Sequence, residues 1–172
     1  MGRLRRIVRR APDDVQQTIE DLNNSELEWV RSNVEAAAEL VRIYTGTEER
    51  PIPSVALLDD GFAAWLEAWY GQQEADRDDP NTSINVFGLA FGQRLVDDLG
   101  FEWKVVGDPD GTEMAVVGQP GDVIVFPPNL VAKRFVARET RFFEDVYDEI
   151  AWTCDRLRRG EGPTAPRDAR SP

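Results

Sequence analysis

The chain contains no histidine and one cysteine in 172 residues. Without histidine it cannot assemble a Ser-His-Asp or Cys-His catalytic set, or any zinc site that uses imidazole. The lone thiol, Cys154, also excludes a cysteine-only zinc site and an intramolecular disulfide. No apolar run of ~18 residues and no signal-peptide pattern is present, which with the single thiol points to a reducing cytoplasm. Lysine is scarce too: only Lys104 and Lys133 stand among 20 cations, as the codon bias of a GC-rich genome would give. For an enzyme, what remains is paired carboxylates or a carboxylate-held magnesium. The 29 acids between residues 11 and 154 make chance neighbours inevitable, so no catalytic residue, metal ligand or cofactor site is assigned.

Charge is unevenly spread. The net charge is -12, yet residues 1–10 carry five Arg, and residues 155–172 carry five Arg against three acids. Residues 11–154 therefore hold -19. Such a body repels a phosphate backbone, which argues against nucleic acid and for a basic protein partner. The opening "MGRLRRIVRR" interleaves Leu4, Ile7 and Val8 with its arginines. With no long apolar segment behind it, residues 1–12 read as a basic arm, a frayed terminus free to fold back on the acidic body, rather than as a membrane or nucleic-acid contact. Deleting residues 1–10 is expected to leave the fold intact. The end, from 160 to 172, is rich in Pro, Gly and charge and reads as a disordered tail. Between them, 13–159 reads as one domain, of a size that buries roughly 70% of its unfolded surface.

Along that domain the pattern is α+β. A short helix is expected near Asp13 to Leu22. A longer one follows, with Ser25 and Glu28 as a capping box, an apolar stripe of Leu27, Val30, Val34, Ala37, Val41 and Tyr44, and Gly46 as its C-terminal cap. "LLDDGFAAWLEAWYG" reads as another helix whose Phe62, Trp65, Leu66 and Trp69 share a buried face. The acidic loop after it, with Asp76, Asp78, Asp79 and Asn81, lacks the ligand spacing and glycine of a calcium loop.

The next helix, capped by Ser83 and ended by Gly100, places Ile84, Gly88, Phe91, Leu95 and Leu99 together, with Phe87 and Gly92 on the flanks. A glycine inside a helix costs about 1 kcal/mol relative to alanine, so Gly88 and Gly92 are expected to form a packing groove for a close neighbour. A phosphate-binding glycine loop would instead precede the helix. Three strands follow, "FEWKVV", "TEMAVV" and "DVIVF", joined by "DPDG" and "GQPGD" turns too short for a parallel crossover. They form a three-stranded antiparallel meander. Asn129 and Thr140 are expected to cap two final helices; the second has Phe143, Val146, Tyr147, Ile150, Cys154 and Leu157 on its apolar stripe, making Cys154 a buried structural thiol.

In "VFPPNLVAKRF", a helix start lies beside the adjacent cations Lys133 and Arg134. Helix N-termini and cations favour anions, so Asn129, Lys133 and Arg134 are the candidate ligand-binding residues; pairing of Lys133 or Arg134 with local acids such as Glu139 is the competing reading.

The succession "INVFGLAFGQRLVDDLGFEWKVVGDPDGTEMAVVG" then "DVIVFPPNLVAKRF" resembles the uncharacterised bacterial family known as domain of unknown function 3806, over about residues 55–155. The resemblance implies a small α+β fold and transfers no catalytic residue. Function is therefore expected to be non-catalytic: an acidic module engaging a protein partner in a regulatory, adaptor or immunity-type role. The alternative is an enzyme or sensor for a small molecule or anion, using Lys133, Arg134 and carboxylates in a pocket lined by Trp65, Trp69 or Trp103. A flat acidic face would favour the first and a concave site the second.

Overall fold

A computed structural model describes residues 18–161, except 110, 121 and 122. It is an α+β domain of five helices and a four-stranded antiparallel sheet. Strand β1 spans Thr18–Asp21, and helices α1, α2 and α3 span Asn24–Thr45, Val55–Gly71 and Asn81–Leu99. Strands β2, β3 and β4 span Glu102–Asp108, Gly111–Gly118 and Val123–Val125; α4 and α5 span Pro127–Ala137 and Phe143–Arg158. The strands lie in the order β1-β2-β3-β4, every pair antiparallel.

The three-stranded meander is thus joined by a fourth strand. The helix expected over 13–22 gives way, from Thr18 on, to β1; the expectation for 13–17 lies outside the described residues. Tertiary pairing overrides local preference there: β1 aligns Thr18 with Gly107 and Asp21 with Lys104, whose ammonium reaches Asp21 at 2.6 Å and Glu102 at 2.9 Å. Those contacts lower the Asp21 carboxyl and raise the Lys104 ammonium from their ordinary pKa values.

Helix starts shift by small amounts for identifiable reasons. The α1 capping box is Asn23 with Glu26 rather than Ser25 with Glu28: Asn23 Oδ1 accepts from the Glu26 N–H at 2.9 Å, and Glu26 accepts from the Asn23 N–H at 2.8 Å. Gly46 ends the helix in the left-handed region at φ 75°. Ser54 caps α2 through the Leu57 N–H. Helix α3 begins before Ser83, which is not its cap; Asp79 Oδ1 accepts from the Asn81 N–H at 3.0 Å instead. Helix α4 begins at Pro127 after Phe126, so Asn129 is its third residue and not its cap.

The core is built around α3, which packs on α1, α2, α4, α5 and β3. Its middle is apolar on all sides, and Ile84, Val86, Phe87, Leu89, Ala90 and Phe91 are all buried. A helix of that kind belongs at the centre of a domain. Phe62 of α2 meets Phe87, Phe142 and Phe143 edge-on, with ring centroids 5.4–5.9 Å apart, so these aromatics supply core packing. Cys154 is buried, and burial pushes its thiol up. Among the described residues no helix is long and apolar enough to cross a membrane.

The start of α5 differs most from expectation. Thr140 does not cap it; the cap comes from α2, more than eighty residues away. Asp59, buried at 2% exposure, accepts from the Phe143 N–H through Oδ1 and the Glu144 N–H through Oδ2, both at 3.0 Å. A carboxylate facing two free N–H groups at a helix N-terminus meets both the hydrogen-bond and the dipole requirement of that end.

Candidate functional site

Residues Asn129, Lys133 and Arg134 all lie on α4, but they do not converge on an anion site. The Arg134 guanidinium is bound by Glu139 and sits 5.5 Å from the centre of the Phe142 ring. Asn129 donates to both oxygens of Glu113, at 3.2 and 3.3 Å. Lys133 is exposed, about 100° around the helix from Arg134. Pro127 and Pro128 further remove two of the free N–H groups that make a helix N-terminus attractive to anions.

Those prolines do something else. A Cβ added to Gly88 would lie 2.6 Å from Pro128 Cα and 2.8 Å from Pro128 N, so the start of α4 passes over α3 backbone to backbone. One turn later, a Cβ at Gly92 would lie 2.7 Å from Trp103 Cζ2 and 2.9 Å from Pro127 Cγ. Gly88 therefore seats the backbone of the α4 entry, and Gly92 seats the Trp103 indole from β2 together with the Pro127 ring.

Trp103 leads to a concave feature of the surface. Seated over Gly92 and half-buried, it donates through Nε1 to Gln93 Oε1 at 2.9 Å. The indole forms one wall of an open groove of about 700 Å³. Leu27, Val30 and Val34 of α1 and Pro51 and Ile52 of the α1–α2 connection complete the apolar lining. Asn24, Glu28, Arg31, Glu35 and Gln93 supply the polar part. Arg31 is paired with Glu28 and lies 4.0 Å from Glu35, so two carboxylates and one cation leave that stretch with a net charge of -1.

Sequence reasoning placed Leu27 on the buried stripe of α1. The structure keeps it on the stripe but leaves it 49% exposed while Val30 is 4% exposed, because the stripe runs one turn beyond the elements that cover it. Of the pocket tryptophans expected, Trp103 lines the groove, whereas Trp65 is in the core and Trp69 packs on Phe135 and donates to the Asp78 carbonyl. Among the described residues no group of three or more His, Cys, Asp or Glu is placed to hold a metal ion. The groove offers apolar surface, hydrogen bonds and charge.

No curated protein matches the chain in sequence. Its fold resembles a crystal structure from Bacteroides thetaiotaomicron VPI-5482, with a TM-score of 0.58 at 12% identity, across 78% of this chain and 47% of that one. At that identity the likeness is one of fold alone. The stretch that matches a family model starts within α2, takes in α3 with both glycines, the β2–β4 meander and α4, and stops within α5: residues 63–147 of the chain belong to the family described as Domain of unknown function (DUF3806).

Proposed function

We propose that the domain is a non-catalytic binding module and that the groove between α1 and β2 receives an apolar, positively charged segment of a protein partner. The observation that carries this reading is the exposure of Leu27 at 49% beside the Trp103 indole, in a groove whose charged residues sum to -1. Half-exposed leucine and tryptophan gain about 25 cal/mol for each Å² of apolar surface they lose from water. Tryptophan combines a large apolar body with little rotamer entropy to lose, the property that makes it an anchor at interfaces. The acidic surroundings steer a cation toward the groove and turn away an anion.

The competing reading, an anion ligand held by Lys133, Arg134 and Asn129, has less support, since Arg134 and Asn129 are already engaged by carboxylates. The test is a titration of the full chain, followed by backbone amide chemical shifts, with an amphipathic Leu/Lys peptide and with its Leu/Glu counterpart. The expected result is shifts clustered at residues 27–35, Ile52, Gln93 and Trp103 for the Leu/Lys peptide alone, abolished by Leu27→Glu. Equal response to both peptides, or shifts that avoid the groove, would overturn the proposal.

A further inference from the structure

Among the described residues every arginine forms an ion pair with a carboxylate except two, Arg77 and Arg138. Counter-charges are plentiful in a body of -19, so a guanidinium left without one stands apart. Both of these lie over the same ring. Cζ of Arg138 is 3.9 Å and Cζ of Arg77 is 5.6 Å from the centre of Tyr70, which brings the loop after α2 and the end of α4 together.

The fold fixes this arrangement. The Tyr70 ring stacks on Phe135 with centroids 5.5 Å apart, and its hydroxyl donates to the Phe135 carbonyl at 3.3 Å. The Arg138 N–H donates to the same carbonyl at 3.1 Å and helps hold residue 138 in the left-handed region, at φ 53°. One carbonyl thus positions both the backbone of Arg138 and the ring beneath its guanidinium. Arg77 donates from Nε and Nη2 to the carbonyls of Gln72 and Tyr70, at 3.3 and 3.1 Å, and also covers Trp69 at 4.8 Å. Its Nη1 and the whole Arg138 guanidinium engage no acceptor among the described residues, so their donors remain for a ligand.

We propose that the C-terminal end of α4 is a docking surface for an acidic segment of a protein partner, with a carboxylate received by Arg138 and Arg77 over Tyr70 and an apolar residue laid on Val136. Lys133, Val136 and Ala137 share an exposed face of α4 at i, i+3, i+4 spacing, and Lys133 likewise has no carboxylate partner among the described residues. Val136, at 77%, is the most exposed large hydrophobic of the described residues.

Exposure selects the class of occupant. A small anion on an open surface stays hydrated and gains little from an ion pair. A protein segment lying on Val136 shuts water out around the pair, and a guanidinium already stacked on a ring has less freedom to lose when it grips a carboxylate with two N–H groups. Nucleic acid, an extended polyanion, would meet the -19 body as well as these cations. Exposed Glu74, Asp76, Asp78 and Asp79 border Arg77 in sequence, which places the acidic segment on the α4 side, along Lys133, Val136 and Arg138. None of these residues lines the groove, so the surface stands apart from the groove reading.

The experiment titrates the full chain with a blocked pentapeptide, one leucine between two pairs of aspartates, and follows arginine Nε–Hε signals and backbone amides. An ionic strength of 0.15 M screens the field of the acidic body beyond ~8 Å. The expected result is shifts at the Arg77 and Arg138 side chains and at amides 133–138. Affinity is expected to fall at least tenfold in Arg138→Asn, whose asparagine tolerates the left-handed backbone, and to be unchanged in Leu27→Glu. Shifts confined to other elements, or undiminished binding by Arg138→Asn, would overturn the proposal. An equal response to inorganic phosphate would also overturn it, by making the pair a small-anion site. Val136→Ser is expected to weaken the pentapeptide several-fold, and unchanged affinity there would overturn the choice of a protein segment.

Discussion

Gly88 shows how much a single missing methyl can decide. In an exposed helix, replacing it with alanine would stabilise the protein by ~0.4–1 kcal/mol, through helix propensity and the entropy of the unfolded chain. Here the new Cβ would lie 2.6 Å from Pro128 Cα, against backbone held by α4, and no side-chain rotation relieves the contact. Overpacking therefore outweighs propensity, and Gly88→Ala is expected to destabilise by ~1–3 kcal/mol. At Gly92 the obstacles are the Trp103 and Pro127 side chains, and the half-buried indole has the groove to swing into. Gly92→Ala is thus expected to cost less stability while breaking the Trp103–Gln93 hydrogen bond. Urea unfolding checks both variants: a raised midpoint with unchanged slope for Gly88→Ala would mean that the α4 entry does not press on α3.

The link between α2 and α5 makes a prediction of its own. Asp59 and Asp60 are neighbours in sequence with different partners: Asp59 is buried and caps α5, whereas Asp60 is exposed and pairs with exposed Arg141. Removing a buried carboxylate that accepts two N–H groups leaves a helix end unsatisfied, so Asp59→Ala is expected to cost ~1–3 kcal/mol. Asp60→Ala breaks a surface ion pair and is expected to cost less than about 1 kcal/mol. Comparison of their denaturation midpoints checks the assignment, and a larger loss at Asp60 would refute it. Asp59 also marks where sequence reading ends. The α1, α2 and α3 helices were legible because their apolar periodicity, and the glycines that close α1 and α3, are local signals. The β2–β3 hairpin was legible because "DPDG" fits a tight turn between two alternating segments. Strand β1 and the α5 cap were not, since each depends on a partner more than eighty residues distant. The groove was half legible: Trp103 stood out as a pocket candidate, but the exposure of Leu27 depends on where α1 outruns its neighbours.

For the molecule as a whole, charge and groove make opposed demands that salt separates. An apolar contact of Leu27 and Trp103 with a partner is insensitive to moderate salt, whereas attraction between the -19 of residues 11–154 and a cationic segment is not. The Debye length falls from ~30 Å at 0.01 M to ~8 Å at 0.15 M ionic strength, so the acidic surface beyond the groove is felt only in the dilute buffer. The Leu/Lys peptide is accordingly expected to bind more weakly at 0.15 M than at 0.01 M, with the loss mainly in the association rate. The groove contact should persist at both, with Leu27→Glu abolishing binding throughout. Stopped-flow or surface-based kinetics across that range would measure it. An association rate independent of salt would remove the acidic body from partner selection and leave the apolar groove as the recognising surface; a loss confined to the dissociation rate would place the decisive charges inside the groove, at Glu28, Arg31 and Glu35.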